Sequence, residues 1–381
     1  MKIAFDALPL LGRMTGIGHC EAGQIQAMTA SHPEHEFTLN YFAVRHLKEC
    51  SRSLKPYLKE NVKAKHAFCS AYGYRALSTF VPVPYSLFFG KQNDLTHFFN
   101  YIVPPHVHGK TVVTVHDMVY RTFPETVRGR TRQMLDWGLI PSMERADRIV
   151  TDSHFSESEI IKYYPEFRDK IRVVYCGVDT EKFHPFTDSG KIQAVCEKYQ
   201  VPENYFLYLG TLEPRKNLER LIDAYSEFVK EYQHPASLVL AGGKGWMYEG
   251  IFQKVQSLKL QKHVIFTQYI DEADLCTLMS GATAFTFPSL YEGFGMPPLE
   301  AMSCGTPVLV SDTASLPEVV GNCAVIVKGN SVKSIQEGMH LLHDDSDLRN
   351  RLKKEGLERV KLFSWERSAD ELYKVYREIL T

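Results

Sequence analysis

Two glutamates, Glu292 and Glu300, are separated by seven residues in a stretch rich in glycine and proline that runs from Phe287 to Pro307. The apolar run that leads into this stretch predicts a strand, and Pro297 and Pro298 suit the first turn of a helix, where amide hydrogens lack partners. Such amides bind anions, and carboxylates accept hydrogen bonds from hydroxyls. The stretch therefore indicates a site for an anionic, hydroxyl-rich ligand such as a nucleotide sugar. A turn with two surface acids is the alternative.

Two consecutive cations, Arg215 and Lys216, precede a second predicted helix. Apolar residues at helical spacing from Leu218 onward place the start of this helix at about Asn217. The helix dipole does not favour positive side chains at this end, so their placement needs another reason. We expect the two cations to neutralise a departing diphosphate.

The N-terminal half offers a histidine and a glycine-containing loop. Thr114-Val-His-Asp117 ends a predicted strand, so we expect His116 to emerge at the rim of a ligand crevice; a packed or capped histidine is the alternative. In the loop Gly12-Arg-Met-Thr-Gly-Ile-Gly-His19, Gly16 and Gly18 permit a tight turn and close approach of the backbone to a phosphate or an acceptor group. Glycines that only make the turn are equally compatible with the sequence.

Two parallel sheets are predicted to position these residues. Short β-branched runs alternate with segments long enough for helices, which is typical of doubly wound α/β domains. In such folds ligands bind at the carboxyl ends of the strands, and we expect a crevice between two Rossmann-like halves. The predicted strands are Ile3–Asp6, Phe37–Phe42, Leu95–Phe99, Thr111–His116, Arg148–Thr151 and Ile171–Tyr175, then Tyr205–Leu209, Ser237–Ala241, Val264–Thr267, Ala284–Phe287, Val308–Ser311 and Ala324–Val327.

One stretch runs Tyr291-Glu-Gly-Phe-Gly-Met-Pro-Pro-Leu-Glu-Ala-Met-Ser-Cys-Gly-Thr-Pro-Val308. It closely resembles the signature of retaining glycosyltransferases of the GT-B fold, in family 4 (group 1). Together with Gly210-Thr-Leu-Glu-Pro-Arg-Lys-Asn217, the stretch is similar to bacterial mannosyltransferases that build surface polysaccharides. The resemblance covers nearly the whole chain and is most specific from Tyr205 to Gly321.

The resemblance implies a role for each matching residue. Glu292 would hold hydroxyls of the donor sugar, and His116 would help to position that sugar. Arg215 and Lys216 would stabilise the leaving diphosphate. Many relatives carry an arginine directly after the glycine, where this chain has Thr211, and this departure bears on the role of Arg215. The implied donor-binding residues are Gly16, Gly18, Gly210, Thr211, Gly243, Tyr269, Ile270, Gly293, Phe294, Gly295, Met296, Pro297, Leu299 and Glu300, of which Glu300 would hold the ribose.

The resemblance also implies an activity. It is that of a hexosyltransferase which moves mannose from GDP-mannose to a glycan, or to a saccharide linked to undecaprenyl diphosphate, in O-antigen or exopolysaccharide biosynthesis. The donor diphosphate would help to deprotonate the acceptor hydroxyl, and no cofactor or divalent metal would be required because basic residues and helix amides carry the charge. UDP-sugar donors, a sugar-nucleotide epimerase or hydrolase, and a non-catalytic binder are the alternatives.

One motif points to a metal only superficially. Asp345-Ser-Asp347 has the spacing of the metal-binding motif of the other main glycosyltransferase fold. It lies between predicted helices rather than after a strand, so we interpret it as a helix cap.

Length and composition define the class of protein. A chain of 381 residues is too long for a single hydrophobic core, so two domains are expected. We predict an acceptor domain at 1–183, with a C-terminal helix at 365–381 crossing back onto it, and a donor domain at 184–364. A formal net charge of −1 argues against nucleic-acid binding. The eight cysteines are scattered without a Cys-x-x-Cys pair, which argues against a zinc site or a disulfide framework and favours the cytoplasm.

A basic segment at residues 45–66 precedes an aromatic-rich segment from Tyr72 to Phe89. A basic helix beside exposed aromatic side chains predicts peripheral contact with an anionic membrane surface; a solvated helix next to core residues is the alternative. The sequence has no run of transmembrane length and no signal peptide, so we expect this contact on the cytoplasmic face of the inner membrane.

Overall fold

The computed structural model describes residues 1–12, 14–245 and 247–381, with the backbone alone at positions 72, 76, 79 and 80. The chain divides into two compact units. Unit 1 comprises Met1–Gly177 and Ser364–Thr381, and unit 2 comprises Val178–Phe363. The boundaries predicted from the sequence lie at 183/184 and 364/365. Within unit 1, a Cβ on Gly177 would lie 2.4 Å from the Trp365 backbone nitrogen, so the outgoing and returning segments pass each other closely there.

The sheet of unit 1 has seven parallel strands among the described residues, in the order β3-β2-β1-β4-β5-β6-β7. Most of them are buried on both faces, as expected for strands covered by helices on either side. The order reverses between β1 and β4. The strands are β1 Lys2–Asp6, β2 Glu36–Phe42, β3 Val62–Ala67, β4 Leu95–Phe98, β5 Lys110–Thr114, β6 Arg148–Thr151 and β7 Ile171–Val173.

Helices cover the sheet of unit 1, and the last helix of the chain is one of them. The helix at 365–380 packs against the helix at 16–31, and its apolar residues join the core of this unit. The helices are α1 Gly16–Ser31, α2 Leu47–Leu54, α3 Ala71–Phe80, α4 Ser86–Phe89, α5 Val119–Thr122, α6 Gly129–Arg145, α7 His154–Tyr163 and α16 Trp365–Leu380.

Unit 2 repeats the same design with six parallel strands, counted within the part of the chain that the structure describes. Their order is β10-β9-β8-β11-β12-β13, and it reverses between β8 and β11. The strands are β8 Tyr205–Leu209, β9 Ser237–Ala241, β10 Val264–Gln268, β11 Ala284–Phe287, β12 Val308–Ser311 and β13 Val325–Val327. The helices are α8 Ser189–Lys198, α9 Leu218–Phe228, α10 Glu249–Ser257, α11 Leu275–Gly281, α12 Met296–Ser303, α13 Leu316–Val320, α14 Val332–Asp344 and α15 Ser346–Val360.

Every predicted strand is present, with ends that differ by at most two residues. The prediction missed β3, which forms the edge of the first sheet within the basic segment 45–66. The prediction of a single basic helix for this segment is therefore wrong, because the segment contains α2, a 3₁₀ turn at Lys55–Tyr57 and the edge strand. Lysines suit an edge strand, where charge prevents pairing with a second chain.

Other predictions concern local features. Asp345 caps α15 by accepting a hydrogen bond from the Leu348 amide at 2.8 Å, so its interpretation as a helix cap is confirmed. The eight cysteines are free thiols. Over the described ranges, which omit positions 13 and 246, the helices are all too short or too polar to cross a bilayer.

Candidate active site

The cations and the first glutamate of the signature come together at the reversal point of the second sheet. β8 and β11 are hydrogen-bonded neighbours, so their carboxyl ends lie side by side. The loop after β8 carries Arg215 and Lys216 in a 3₁₀ turn at Pro214–Lys216, and the loop after β11 carries Glu292. Doubly wound sheets bind their ligands at such a point, where the strand order reverses.

Glu292 is the centre of this cation cluster, which we define as Glu213, Arg215, Lys216, Ser289 and Glu292. Its Oε1 accepts hydrogen bonds from Lys216 Nζ and from Ser289 Oγ, both at 2.6 Å, and its Oε2 accepts one from Arg215 Nη1 at 2.9 Å. Arg215 Nη2 donates to Glu213 Oε1 at 2.7 Å. Lys216 and Glu292 are each 9% exposed, so these ion pairs are screened less than pairs on the surface.

The electrostatic consequence is a glutamate that stays ionised. Burial by itself raises the pKa of Glu292, but Arg215, Lys216 and the hydrogen bonds from Lys216 and Ser289 outweigh it and lower the pKa to about 2. Burial and the neighbouring Arg215 lower the pKa of Lys216, and Glu292 acts in the opposite direction. The site therefore holds a fixed carboxylate beside two positive groups, a combination that can bind hydroxyls and an anion together.

Backbone contacts fix the loop that carries Glu292. The Leu290 amide donates to the Arg215 carbonyl at 2.9 Å, which joins the loops after β8 and β11 directly. Ser315 Oγ donates to the carbonyls of Glu292 at 2.9 Å and Phe294 at 2.6 Å. Residues from three strand exits thus hold Glu292 in place before a ligand binds.

Asn217 anchors the loop that carries the cations. It adopts a left-handed conformation, with φ 63° and ψ 28°, between the 3₁₀ turn and α9. Its Nδ2 donates to the carbonyls of Pro288 at 2.9 Å and Gly329 at 2.7 Å. Asparagine tolerates this backbone conformation better than most residues, and its amide supplies two donors. The predicted helix start at about residue 217 is confirmed, since α9 begins at Leu218.

Glu300 lies in different surroundings. It projects from α12, which begins at Met296 after Gly295 in a left-handed conformation with φ 117°, and it is half-buried. Burial raises its pKa to about 7; Lys182 acts to lower this value and Glu272 to raise it. The hydrogen bonds that unite the cation cluster do not extend to Glu300 among the described contacts. The structure thus joins Arg215, Lys216 and Glu292 in one cluster and places Glu300 beside a separate pair of charges.

The other residues assigned to the signature stretch follow Glu292 along the chain. Phe294 is buried against the Phe363 ring, and Leu299 is buried in α12. Gly293, Met296 and Pro297 are partly exposed. Parts of the loop and of the first turn of α12 therefore reach the surface of unit 2.

The glycines after β8 and β9 bring two loops into contact. The amides of Gly210 and Leu212 donate to the carbonyls of Ala241 and Gly243, both at 3.0 Å. A Cβ on Gly242 would lie 1.9 Å from the Gly210 carbonyl oxygen, so only glycine fits there. A Cβ on the predicted Gly243 would meet no described atom within 4 Å, and Thr211 is exposed. The steric requirement therefore falls on Gly242, which the prediction did not select.

Tyr269 and Ile270 follow β10 and differ in exposure. Tyr269 is 57% exposed, whereas Ile270 is buried. Gln268 precedes them in a left-handed conformation with φ 59°, and its carbonyl accepts a hydrogen bond from the Gly242 amide at 2.7 Å. Of the two side chains, Tyr269 is the one that offers a surface to a ligand.

His116 is buried within unit 1, so the prediction that it emerges at a rim is wrong. Its Nδ1 donates to Asp152 Oδ2 at 2.6 Å and its Nε2 donates to the Phe99 carbonyl at 2.7 Å. Because a carbonyl and a carboxylate only accept, both ring nitrogens carry hydrogen. Burial opposes this charge, but Asp152 and the Phe99 carbonyl outweigh it and raise the pKa of His116.

Gly16 and Gly18 belong to the first turn of α1 rather than to a loop. Neither has a positive φ, so the tight-turn explanation is wrong for both; in this segment Gly12 is the glycine with a left-handed backbone, at φ 77°. A Cβ on Gly18 would lie 2.6 Å from the Pro9 carbonyl oxygen, which gives that glycine a packing reason. Arg13, within the predicted loop, lies outside the described residues.

Sequence reasoning missed Glu213, Asn217 and Ser289 as members of the site. Glu213 and Asn217 flank the two cations, and Ser289 precedes Glu292 by three residues. A signal was available for Asn217, since asparagine is favoured where the backbone turns left-handed before a helix. Glu213 and Ser289 are recognised only from the pairing of β8 with β11.

Comparison with known proteins identifies the family. The sequence model described as "Glycosyl transferases group 1" matches residues 196–359, and that described as "Glycosyltransferase Family 4" matches residues 63–182. The chain is 36% identical over 277 residues to O-antigen chain mannosyltransferase B of Escherichia coli. The matched region covers 72% of this chain and 71% of that protein.

A second relative and a solved structure extend the comparison. The serotype-specific mannosyltransferase WbdA of Escherichia coli is 34% identical over 68% of this chain, although the matched part is only 32% of WbdA. The crystal structure of Anabaena HepE in complex with UDP and glucose superimposes with a TM-score of 0.73 at 17% identity, covering 99% of this chain and 100% of HepE. Its likeness supports the GT-B fold. The chain therefore belongs to the group 1 glycosyltransferases of family 4.

Proposed function

We propose that this glycosyltransferase moves mannose from GDP-mannose, with retention of configuration, to a glycan or a lipid-linked saccharide in surface polysaccharide biosynthesis. The observation that carries the proposal is the cation cluster, in which Glu292 is held ionised between Arg215 and Lys216. The name of the 36% identical relative, an O-antigen chain mannosyltransferase, supports mannose and this acceptor class.

In this proposal each charged group of unit 2 has one task. Arg215 and Lys216 stabilise the diphosphate as it leaves, and preorganised charges of this kind supply the largest share of catalysis in many enzymes. Glu292 accepts hydrogen bonds from hydroxyls of the donor sugar. Glu300 accepts hydrogen bonds from the ribose, and these are stronger when its carboxylate is ionised.

No side-chain nucleophile or divalent metal takes part in the proposed reaction. A diphosphate oxygen of the donor helps to deprotonate the acceptor hydroxyl, which attacks from the face that the leaving group vacates. The two cations do the work that a metal ion would do elsewhere. Among the described residues, the clusters with three possible metal ligands are Cys20–His116–Asp152 and His32–Glu34–His35, both in unit 1. Because Asp152 and the Phe99 carbonyl engage both ring nitrogens of His116, this proposal gives His116 no direct contact with the transferred sugar.

The donor is tested by thermal unfolding in the presence of GDP, UDP, ADP and their sugar conjugates. A ligand that binds the folded state raises the melting temperature, so GDP and GDP-mannose should give the largest shifts. A large shift with UDP and none with GDP would overturn this assignment and indicate a UDP-sugar as the donor. A donor that binds and is consumed without any acceptor would indicate an epimerase or a hydrolase.

The stereochemistry is tested on the product. An α-mannoside formed from the α-linked donor, identified by the one-bond carbon–hydrogen coupling at the anomeric carbon, is the expected result. A β-mannoside would overturn the retaining mechanism and leave the donor assignment intact.

We also propose that unit 1 contacts an anionic membrane surface through a docking patch consisting of α2, the end of β3, α3 and α4. The predicted aromatic side chains Tyr74, Tyr85 and Phe89 are buried in the core, and those of Tyr72 and Phe80 lie outside the described residues. The exposed apolar side chains are instead Phe68, Leu77, Val81 and Leu87, at 72%, 52%, 51% and 73%. Exposed cations of the same region are Arg45, Lys48, Arg52, Lys55, Lys59 and Lys63.

The composition of this patch favours a lipid partner. Apolar side chains enter the interface, and each nearby cation adds about 1 kcal/mol of attraction to anionic lipids. Co-sedimentation with vesicles of phosphatidylcholine, with or without phosphatidylglycerol, tests it. Binding should require phosphatidylglycerol and be lost in the Phe68→Ser/Leu87→Ser double variant. Leu341→Ser, which alters an apolar side chain of unit 2 that is 50% exposed, is the control. Equal binding by the unsubstituted protein, the double variant and Leu341→Ser would overturn the proposal that this patch contacts the membrane.

A further inference from the structure

The charges of the cation cluster balance before any ligand arrives. Arg215 and Lys216 contribute two positive charges, and Glu213 and Glu292 contribute two negative ones. The guanidinium of Arg215 lies between the two carboxylates, with Nη2 on Glu213 and Nη1 on Glu292. The proposed mechanism uses Arg215, Lys216 and Glu292, and it leaves Glu213 without a task.

We propose that Glu213 limits the positive charge that Arg215 presents, so that the nucleoside diphosphate is released after transfer. This inference rests on the proposed function. A carboxylate fixed 2.7 Å from the guanidinium weakens the attraction of that cation for any other anion. Glu213 thus acts indirectly, by offsetting the charge of Arg215, and is not a catalytic residue.

The physical reason is the balance between catalysis and release. Cations that grip the diphosphate equally in the donor, the transition state and the product do not speed the chemical step. They slow the departure of the product, which limits turnover in many enzymes. A site with a neutral sum of charges keeps both cations in place and yet binds the product only moderately.

The location of Glu213 suits this role. It follows β8 in an extended conformation, φ −150° and ψ 158°, directly before the 3₁₀ turn that carries Arg215 and Lys216. Its side chain is 21% exposed, so its charge is only partly screened by solvent. It therefore acts on Arg215 at close range through Nη2, whereas Glu292 contacts Nη1.

Orientation of Arg215 is the competing explanation, and two substitutions separate it from a charge effect. Glu213→Gln keeps an oxygen that accepts from Nη2 but removes the negative charge. Glu213→Asp keeps the charge on a side chain that is one methylene shorter. Glu227→Gln in α9, at 49% exposure and paired with Lys230, is a control for the loss of one negative charge elsewhere in the unit.

The experiment is isothermal titration of GDP, and of UDP in parallel, into the full chain and the three variants, with thermal unfolding to confirm that each is folded. We expect Glu213→Gln to bind GDP about tenfold more tightly, with GDP product inhibition stronger by the same factor; tenfold corresponds to about 1.4 kcal/mol. Glu213→Asp and Glu227→Gln should stay within about twofold of the unsubstituted protein.

The opposite pattern would overturn the inference. Unchanged affinity in Glu213→Gln with weaker binding in Glu213→Asp would assign Glu213 to the orientation of Arg215. A similar gain in Glu227→Gln would indicate a general charge effect. If neither nucleotide bound the unsubstituted protein, the proposed function would fail, and the inference with it.

Discussion

Glu292 and Glu300 belong to one short stretch of sequence, yet the structure gives them opposite electrostatic character. Arg215 and Lys216 lower the pKa of Glu292 to about 2, and burial raises the pKa of Glu300 to about 7. The first carboxylate is ionised throughout the physiological range. The second is divided between its two forms near neutral pH.

The difference teaches that the partner, not the residue type, sets the role of a carboxylate. Glu292 receives its partners from β8, a strand that is distant in sequence and adjacent in the sheet. Glu300 sits in a helix, and the paired residues Lys182 and Glu272 beside it act on its pKa in opposite directions. Under the proposed function, a fixed charge at Glu292 suits the reacting sugar, and the raised pKa of Glu300 would make ribose binding sensitive to pH.

The largest expected effect is on turnover. Replacing Glu292 by Ala, or Lys216 by Ala, should lower the rate of mannose transfer by about 10² to 10³-fold, the scale for losing one preorganised charged group. Initial rates with GDP-mannose measure this change. Glu337→Gln in α14, an exposed glutamate at 61%, is the control and should leave the rate unchanged. Near-normal rates in both variants would contradict the catalytic role that we propose for this cluster and that distinguishes Glu292 from Glu300.

The second effect is on stability in acid. A carboxyl with a pKa of about 2 in the folded protein and about 4.5 when unfolded stabilises the fold above pH 4.5 and loses that stabilisation as the pH falls towards 2. The shift corresponds to about 3 kcal/mol in the free energy of unfolding. Urea unfolding between pH 5 and 3 should show a steeper fall for the unsubstituted protein than for Glu292→Gln. Parallel curves would contradict the shifted pKa.

The sequence predicted the architecture well because parallel strands buried on both faces read as short apolar runs. The exception, β3, is an edge strand whose sequence Val62-Lys-Ala-Lys-His-Ala67 lacks such a run. Its hydrogen bonds to β2 decide its conformation, and a partner strand is not visible in a local pattern.

The site was predictable only as far as each motif is local. The loops with Arg215, Lys216 and Glu292 were found from glycine, proline and charge, but their union depends on the neighbouring positions of β8 and β11. His116 shows the limit, since Asp152 and the Phe99 carbonyl, which occupy both ring nitrogens, come from β6 and β4 exits. Which polar group meets which partner is set by tertiary pairing.

A smaller effect concerns nucleotide affinity. If ionised Glu300 accepts hydrogen bonds from the ribose, affinity should rise about tenfold between pH 6 and pH 8, because the pKa near 7 lies within that range. Calorimetry with GDP measures the rise. The phosphate of GDP titrates as well, so Glu300→Gln provides the baseline, and 2′,3′-dideoxy-GDP, which lacks the diol, should follow it. An identical pH profile for GDP in both proteins would remove Glu300 from ribose recognition.

The smallest effect concerns the charges around Glu300. Lys182 lowers its pKa and Glu272 raises it, so substitutions of the two should move the midpoint of GDP affinity in opposite directions. Lys182→Met should move the midpoint to higher pH and Glu272→Gln to lower pH, each by roughly half a unit or less because the pair is partly exposed to solvent. Added salt should shrink both displacements. Shifts of the same sign would mean that changes in packing, rather than the charges of Lys182 and Glu272, control the pKa of Glu300.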